Sequence, residues 1–260
     1  MIFHYNNAAI NYNIQGSGPA LVFLHGFLER STMWDEIAPT FHKTHTVLTM
    51  DFPGHGNSNC IAEEHTMELF AEITNALLAH LTITTCTLIG HSMGGYVAIA
   101  MVELFPQKIE KLVLLNSTPA EDAPERKENR ARALELVPKV KDAFVTMAIG
   151  NLFAENSRQK LTKEIARLKD EALQMTPEAI TAAIKGMKNR KDRTQILKNF
   201  TKPKFMICAA QDPIIPISEC KIIAKTTNSK LFEVDGGHMS HLEKLNSITK
   251  ILHFIENICI

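Results

Sequence analysis

The stretch Gly90-His91-Ser92-Met93-Gly94-Gly95 decides the fold. It follows a β-branched and apolar run, Thr85 to Ile89, and leads into an apolar run rich in small residues, Tyr96 to Val102. That order predicts a strand, a one-residue turn and a helix, with a serine at the apex. In a G-x-S-x-G of this kind the turn is so tight that side chains two positions either side of the serine would meet backbone, hence Gly90 and Gly94. The serine hydroxyl is lifted to the sheet edge at a helix N-terminus, where free N–H groups and the helix dipole favour developing negative charge. Ser92 is the candidate nucleophile.

Outward from this turn, strands and helices alternate. Phe3-His4-Tyr5 and Ala9 to Asn13 flank Asn6-Asn7, an antiparallel hairpin signal. Ala20-Leu21-Val22-Phe23-Leu24 is a continuous apolar run suited to a strand covered on both faces. The pattern then predicts a helix over Ser31 to His42, a strand over Thr46 to Met50, and a helix over Thr66 to Leu81. Next come strands at Cys86 to Ile89 and Leu112 to Leu115, separated by a helix over Met93 to Phe105. After Lys204 the alternation resumes with strands at Phe205 to Cys208 and Leu231 to Val234 and a last helix over about 240–257. Such an order gives an α/β chain: a mostly parallel twisted sheet with helices on both faces.

Between Pro119 and Phe200 the pattern changes. There is no clear strand, and helical periodicity runs through Arg132 to Met147, Ser157 to Met175, and onward from Thr176-Pro177, where Thr caps and Pro opens a helix. We read residues 119–200 as a helical cap, or lid, inserted into a core made of 1–118 and 201–260. The cluster Lys188 to Arg193 reads as a solvated helix end.

A serine is a poor nucleophile until a base takes its proton, and the base needs an orienting carboxylate. In a parallel sheet these groups come from loops at the strand C-terminal edge. Asp212, in Ala210-Gln211-Asp212-Pro213 after a strand, is the candidate acid. Asp51 reads instead as a residue bonding its own loop, and the strand ending at Leu115 delivers Asn116, which is no carboxylate. For the base, His238 follows Gly236-Gly237 in a loop, whereas His241 falls in the first turn of the last helix, so His238 is chosen. The H-x-x-H pair has no third ligand cluster beside it in sequence, and no metal is expected. Oxyanion donors are the backbone N–H of Met93, directly after the nucleophile, and that of Phe27, after His25-Gly26. Candidate pocket residues are His25, Gly26, Trp34, Phe144, Met147, Leu152 and Phe153. The last four cluster around Gly150, where a bend would aim them over Ser92.

The 260 residues carry 28 basic and 28 acidic side chains, a net charge of zero, which gives no sign of a nucleic-acid or anionic membrane partner. No run is long enough to cross a bilayer, and the N-terminus shows no secretory signal. Five scattered cysteines without a C-x-x-C suit mostly buried, reduced thiols and a cytoplasmic setting.

Ser92, Asp212 and His238 in that chain order, with His25-Gly26-Phe27, Asp51-Phe52-Pro53-Gly54-His55-Gly56-x-Ser58 and Gly237-His238, resemble the α/β-hydrolase superfamily over essentially the whole chain. The resemblance implies an acyl-enzyme route with no cofactor. Epoxide hydrolases and haloalkane dehalogenases put an aspartate at the nucleophile, unlike Ser92. Meta-cleavage carbon–carbon hydrolases carry a tryptophan after the catalytic histidine, where Met239 stands. The menaquinone-pathway synthase has an arginine where Tyr96 stands, and prolyl iminopeptidases a tryptophan where Met93 stands. What is left resembles small capped carboxylesterases acting on small-molecule esters, as a monomer or homodimer. Two alternatives stay open: a carbon–carbon hydrolase or lyase with the same triad, favoured by an arginine pair reaching from the lid, and a non-catalytic receptor, favoured by a blocked elbow.

Overall fold

The computed structural model describes residues 1–258. Its eight strands are β1 (Ile2–Tyr5), β2 (Ala8–Gly16), β3 (Ala20–Leu24), β4 (Thr46–Met50), β5 (Cys86–His91), β6 (Ile109–Leu115), β7 (Lys204–Ala209) and β8 (Lys230–Val234). They form one sheet in the order β1-β2-β4-β3-β5-β6-β7-β8. The β1–β2 and β2–β4 pairings are antiparallel, and every pairing from β4 to β8 is parallel. The expected hairpin forms on the Asn6-Asn7 turn, with both asparagines at positive φ. Leu21 to Leu24 and all of β5 are buried, as a strand covered on both faces requires.

The helices are α1 (Met67–His80), α2 (Met93–Leu104), α3 (Pro124–Gly150), α4 (Glu155–Arg158), α5 (Thr162–Leu173), α6 (Pro177–Asn189), α7 (Thr194–Asn199), α8 (Ile217–Thr227), α9 (Ser240–Glu243) and α10 (Leu245–Glu256). One apolar cluster under β3, β4 and β5 is closed by α1 and α2, and also takes in Val145 of α3 and Ile180 of α6. A second, on the other face, is built on Phe23, Trp34, Phe41 and Ile207 and closed by α10.

Three expectations need correction. Residues 31–42 are not one helix but two short 3-10 turns, Ser31–Trp34 and Ala38–Phe41, with Pro39 at the start of the second. Proline fixes φ and removes a donor, so the turn opens afresh there. The bend placed at Gly150 lies elsewhere: α3 kinks after Pro138, where Val140 leaves helical geometry, and simply ends at Gly150. The Lys188 to Arg193 cluster is not a solvated end. Arg190 is buried against Asp122, and Arg193 is buried against Glu68 and Glu103. No sequence period announces ion pairs between residues so far apart in the chain.

Between β6 and β7 the described residues hold five helical segments and no strand, α4 being a single turn. Thr176 caps α6 as its sequence predicts, its hydroxyl accepting the Ala179 N–H at 3.2 Å. Cys86, Cys208 and Cys220 are buried free thiols, Cys60 is exposed, and Cys259 lies outside the described residues. No helix among the described residues is long and apolar enough to cross a membrane.

Candidate active site

Parallel register aligns the strand ends, so Leu24 pairs with Gly90, His91 with Leu115, and Ala209 with Val234. The loops that follow these residues therefore emerge along one edge. Ser92 sits between β5 and α2 at φ +48°, ψ −115°, a backbone state that L residues rarely adopt. The glycines explain how it is held. A Cβ on Gly90 would stand 2.4 Å from the Gly94 carbonyl oxygen, and one on Gly94 would stand 2.4 Å from that of Leu24. The second approach brings the start of α2 against the His25-Gly26-Phe27 loop.

His238 Nε2 lies 2.8 Å from Ser92 Oγ, and His238 Nδ1 lies 2.8 Å from Asp212 Oδ2. A carboxylate only accepts, so Nδ1 carries the proton and Nε2 is free to accept that of Ser92. Asp212 is itself anchored: Oδ1 accepts the N–H groups of Ile214 and Ile215, at 2.7 and 3.0 Å, and Oδ2 also accepts Asn116 Nδ2 at 2.8 Å. Burial works against its charge, yet His238 and these donors hold its carboxyl below the usual range. His238 donates its own backbone N–H to the Leu152 carbonyl at 2.9 Å, which ties the loop after β8 to the segment after α3.

Both proposed oxyanion donors adjoin this relay. Met93 opens α2, where first-turn N–H groups lack intrahelical partners. The Phe27 N–H meets no acceptor among the described residues. His25 is a support and not a wall. It is fully buried, its Nε2 accepts the Phe52 N–H at 2.9 Å, and its Nδ1 donates to the Gly26 carbonyl at 2.7 Å.

A cavity of about 150 Å³ adjoins Ser92 and His238, with Phe27, Tyr96, Leu152 and Ile214 among its walls. A larger one of about 540 Å³ lies outside it and shares Phe27, Arg130 and Ile214. Of the sequence-chosen pocket residues, Leu152 lines the inner cavity and Phe144 the outer. The others do not line either. Trp34 is fully buried against Phe23 on the far face, Phe153 is core, and Met147 faces solvent with 57% of its surface exposed. Gly26 serves through its backbone, donating to Glu29 Oε2 at 2.6 Å. Asp51 bonds its own loop by accepting the Asn57 N–H, and it also accepts the N–H of Ser31 from a separate segment.

Sequence reasoning missed Asn116, Glu29 and His91 as parts of this site. Asn116 had a signal, a polar residue directly after a strand at the active edge. Glu29, His91 and His241 form the one group with metal-ligand chemistry among the described residues, their ligand atoms within 4.8 Å of one another. His91 Nδ1 already meets Glu29 Oε2 at 2.8 Å, and His91 Nε2 meets the His238 carbonyl at 2.9 Å. His91 is therefore engaged at both ring nitrogens, and a cation would have to displace the proton held in its contact with Glu29.

A family model described as the alpha/beta hydrolase fold matches residues 19–245. The chain is similar to a structure of a thermophilic esterase from Thermogutta terrifontis, solved with malate bound. The two share 29% identity and a TM-score of 0.90 over 95% of this chain and 92% of the other. It is 25% identical to a pimeloyl-[acyl-carrier protein] methyl ester esterase of Nitrosomonas europaea, over 80% of this chain and 83% of that protein. An uncharacterised protein of Mycobacterium tuberculosis is 34% identical over 106 residues, 41% of this chain, which spans only 31% of that relative's length. By the extent of the family match and the strand order that carries it, the chain belongs to the α/β hydrolase fold family.

Proposed function

We propose that the chain is a serine hydrolase that cleaves small carboxylic esters through an acyl-enzyme. The observation that carries this is the unbroken relay from Asp212 through His238 to Ser92, with 2.8 Å at each step and the serine at a strained helix entrance. In this reading Ser92 Oγ attacks the carbonyl while His238 Nε2 takes its proton, and Asp212 supports the imidazolium. The N–H groups of Met93 and Phe27 receive the oxyanion. His238 then returns the proton to the leaving alcohol, and water resolves the acyl-enzyme by the same route. Similarity to proteins named as esterases supports an ester-bond hydrolase. Residues 119–200 act as a cap over the inner cavity, which has the room of roughly five water molecules at about 30 Å³ each. Substrates in this reading are short to medium acyl esters, roughly two to eight carbons, each buried methylene adding about 0.8 kcal/mol until the cavity ends.

The test is a graded series of p-nitrophenyl esters with Ser92→Ala as control, together with a serine-directed phosphonate. Ester hydrolysis should fall by several orders of magnitude in the variant, and the phosphonate should label wild type alone. Labelling of a different serine would sink the assignment.

One observation favours the carbon–carbon hydrolase or lyase reading: Arg126 and Arg130 of α3 line the outer cavity. Their guanidiniums are partly claimed, Arg130 by Asp122 and Arg126 by the Ile214 carbonyl, so the ester reading stands first. The elbow's opening to a cavity and the alignment of His238 weigh against the receptor reading.

A further inference from the structure

His91 meets an acceptor at each edge of its ring, and it lies beside the relay without being part of it. Its Nε2 is 2.9 Å from the His238 carbonyl oxygen, which can only accept, so Nε2 carries a proton. Its Nδ1 is 2.8 Å from Glu29 Oε2. That same oxygen accepts the Gly26 N–H at 2.6 Å, an arrangement suited to the carboxylate. Glu29 Oε1 is buried with no partner among the described residues, so a proton placed there would have nothing among them to donate to. A carboxylate only accepts, and Nδ1 must then carry a proton as well. A neutral imidazole has one N–H, and this geometry uses two.

We propose that His91 is a standing imidazolium, and that its ion pair with Glu29 is a positioning device that couples the oxyanion loop to the loop bearing the catalytic base. The chain of contacts runs Gly26 N–H to Glu29, Glu29 to His91, and His91 to the carbonyl of His238. It connects the loops after β3 and β8 through the last residue of β5. Both side chains are about 1% exposed. A buried pair of this kind contributes little net stability, because desolvation offsets attraction. What it fixes is geometry: loss of either charge leaves the other buried and alone, and the two loops lose their common anchor. The proposal rests on the serine-hydrolase reading only for its catalytic consequence.

The surroundings are consistent with a fixed charge. Burial pushes His91 down, but Glu29, the His238 carbonyl and Asp212 together raise the ring above its ordinary value. Burial likewise pushes Glu29 up, and His91 overrides it, holding the carboxyl at about 2. The other titratable groups around His91 are His238 and His241, each with its ring 5.1 Å away, and Asp212 and His25. Burial drives His241 down to about 3, so it stays neutral and leaves the charge on His91.

The experiment is nitrogen NMR on the full chain carrying 15N-histidine. One ring should show two protonated nitrogens and keep them from about pH 6 to 8.5, through the range where an ordinary histidine titrates. That signal should vanish in His91→Gln. A His91 ring with a single N–H, its second proton on Glu29, overturns the proposal. The kinetic arm uses Glu29→Gln and Glu29→Asp. The amide should lower kcat roughly tenfold or more with little change in KM, as expected for loss of a charged hydrogen bond, and the aspartate should restore part of it. A neutral glutamine no longer holds the proton of His91, so the alkaline limb of the kcat profile should move to lower pH in Glu29→Gln. A limb that stays in place, with only the yield of folded protein reduced, would mean a purely structural contact. If wild type hydrolyses no ester, the hydrolase reading fails while the NMR result still decides the protonation state.

Discussion

At the scale of single residues, position in a loop separates two histidines that the sequence puts three apart. His238 follows the last strand directly and meets both Ser92 and Asp212. His241 sits in α9, buried between Trp34 and His91, and neither of its ring nitrogens has a partner among the described residues. Replacing each by alanine should therefore do opposite things. His238→Ala should lower kcat/KM by several orders of magnitude and barely move the melting temperature. His241→Ala should lose about 1 to 3 kcal/mol of stability through lost packing and keep most of its turnover. Assays and melting curves of both variants side by side check this, and the reverse ranking would show that the wrong base was chosen. Ser92, Asp212 and His238 were legible as candidates because each follows a strand in the one-dimensional pattern. Glu29 was not, because its partner His91 lies 62 residues away and becomes a neighbour only through the β3–β5 pairing.

At the scale of elements, the strands were the easiest part to read and the walls of the cavity the hardest. Strand runs such as Ala20 to Leu24 are apolar on both faces, so burial alone identifies them. The α3 to α6 segment was legible as helical, but not which side of α3 faces inward, because Pro138 breaks the helical phase before Phe144 and Met147. Met147 points to solvent, while Ala148, one position on, lines the inner cavity with Leu152. Phe153 is core, 1% exposed. Three truncations at this one turn should consequently separate. Leu152→Ala should shift the optimum of the acyl series toward longer chains by enlarging the cavity. Phe153→Ala should cost about 3 to 5 kcal/mol of stability with the chain-length optimum in place. Met147→Ala should do neither. A shift of the optimum in Met147→Ala would mean that the wall is formed elsewhere.

At the scale of the whole molecule, the net charge of zero hides an interior rich in histidine, and pH should act there before it reaches the surface. His25, His55 and His241 are fully buried and kept neutral by burial, His55 and His241 with values of about 3. Each has a depressed value when folded and an ordinary one near 6.5 when unfolded. Their contribution to stability is thus complete above about pH 6.5 and is lost as pH falls toward the folded values, because the unfolded chain takes up protons that the native state refuses. His91 acts the other way. Its folded value is raised, so it contributes stability below about 6.5 and loses it as pH rises through the folded value. In acid His91 is protonated in both states and drops out, so the three neutral histidines leave an uptake of about three protons on unfolding, a slope of up to about 4 kcal/mol per pH unit at the steepest. Melting temperature should therefore be flat near neutrality and drop sharply from about pH 6 to 5, well above the range where Asp212 and Glu29 are protonated. Thermal unfolding across that window, repeated with His55→Gln, provides the measurement. The variant should show a shallower drop, and a melting temperature that holds level down to about pH 4.5 in wild type would mean that the buried histidines are already charged, or already solvated, in the native state.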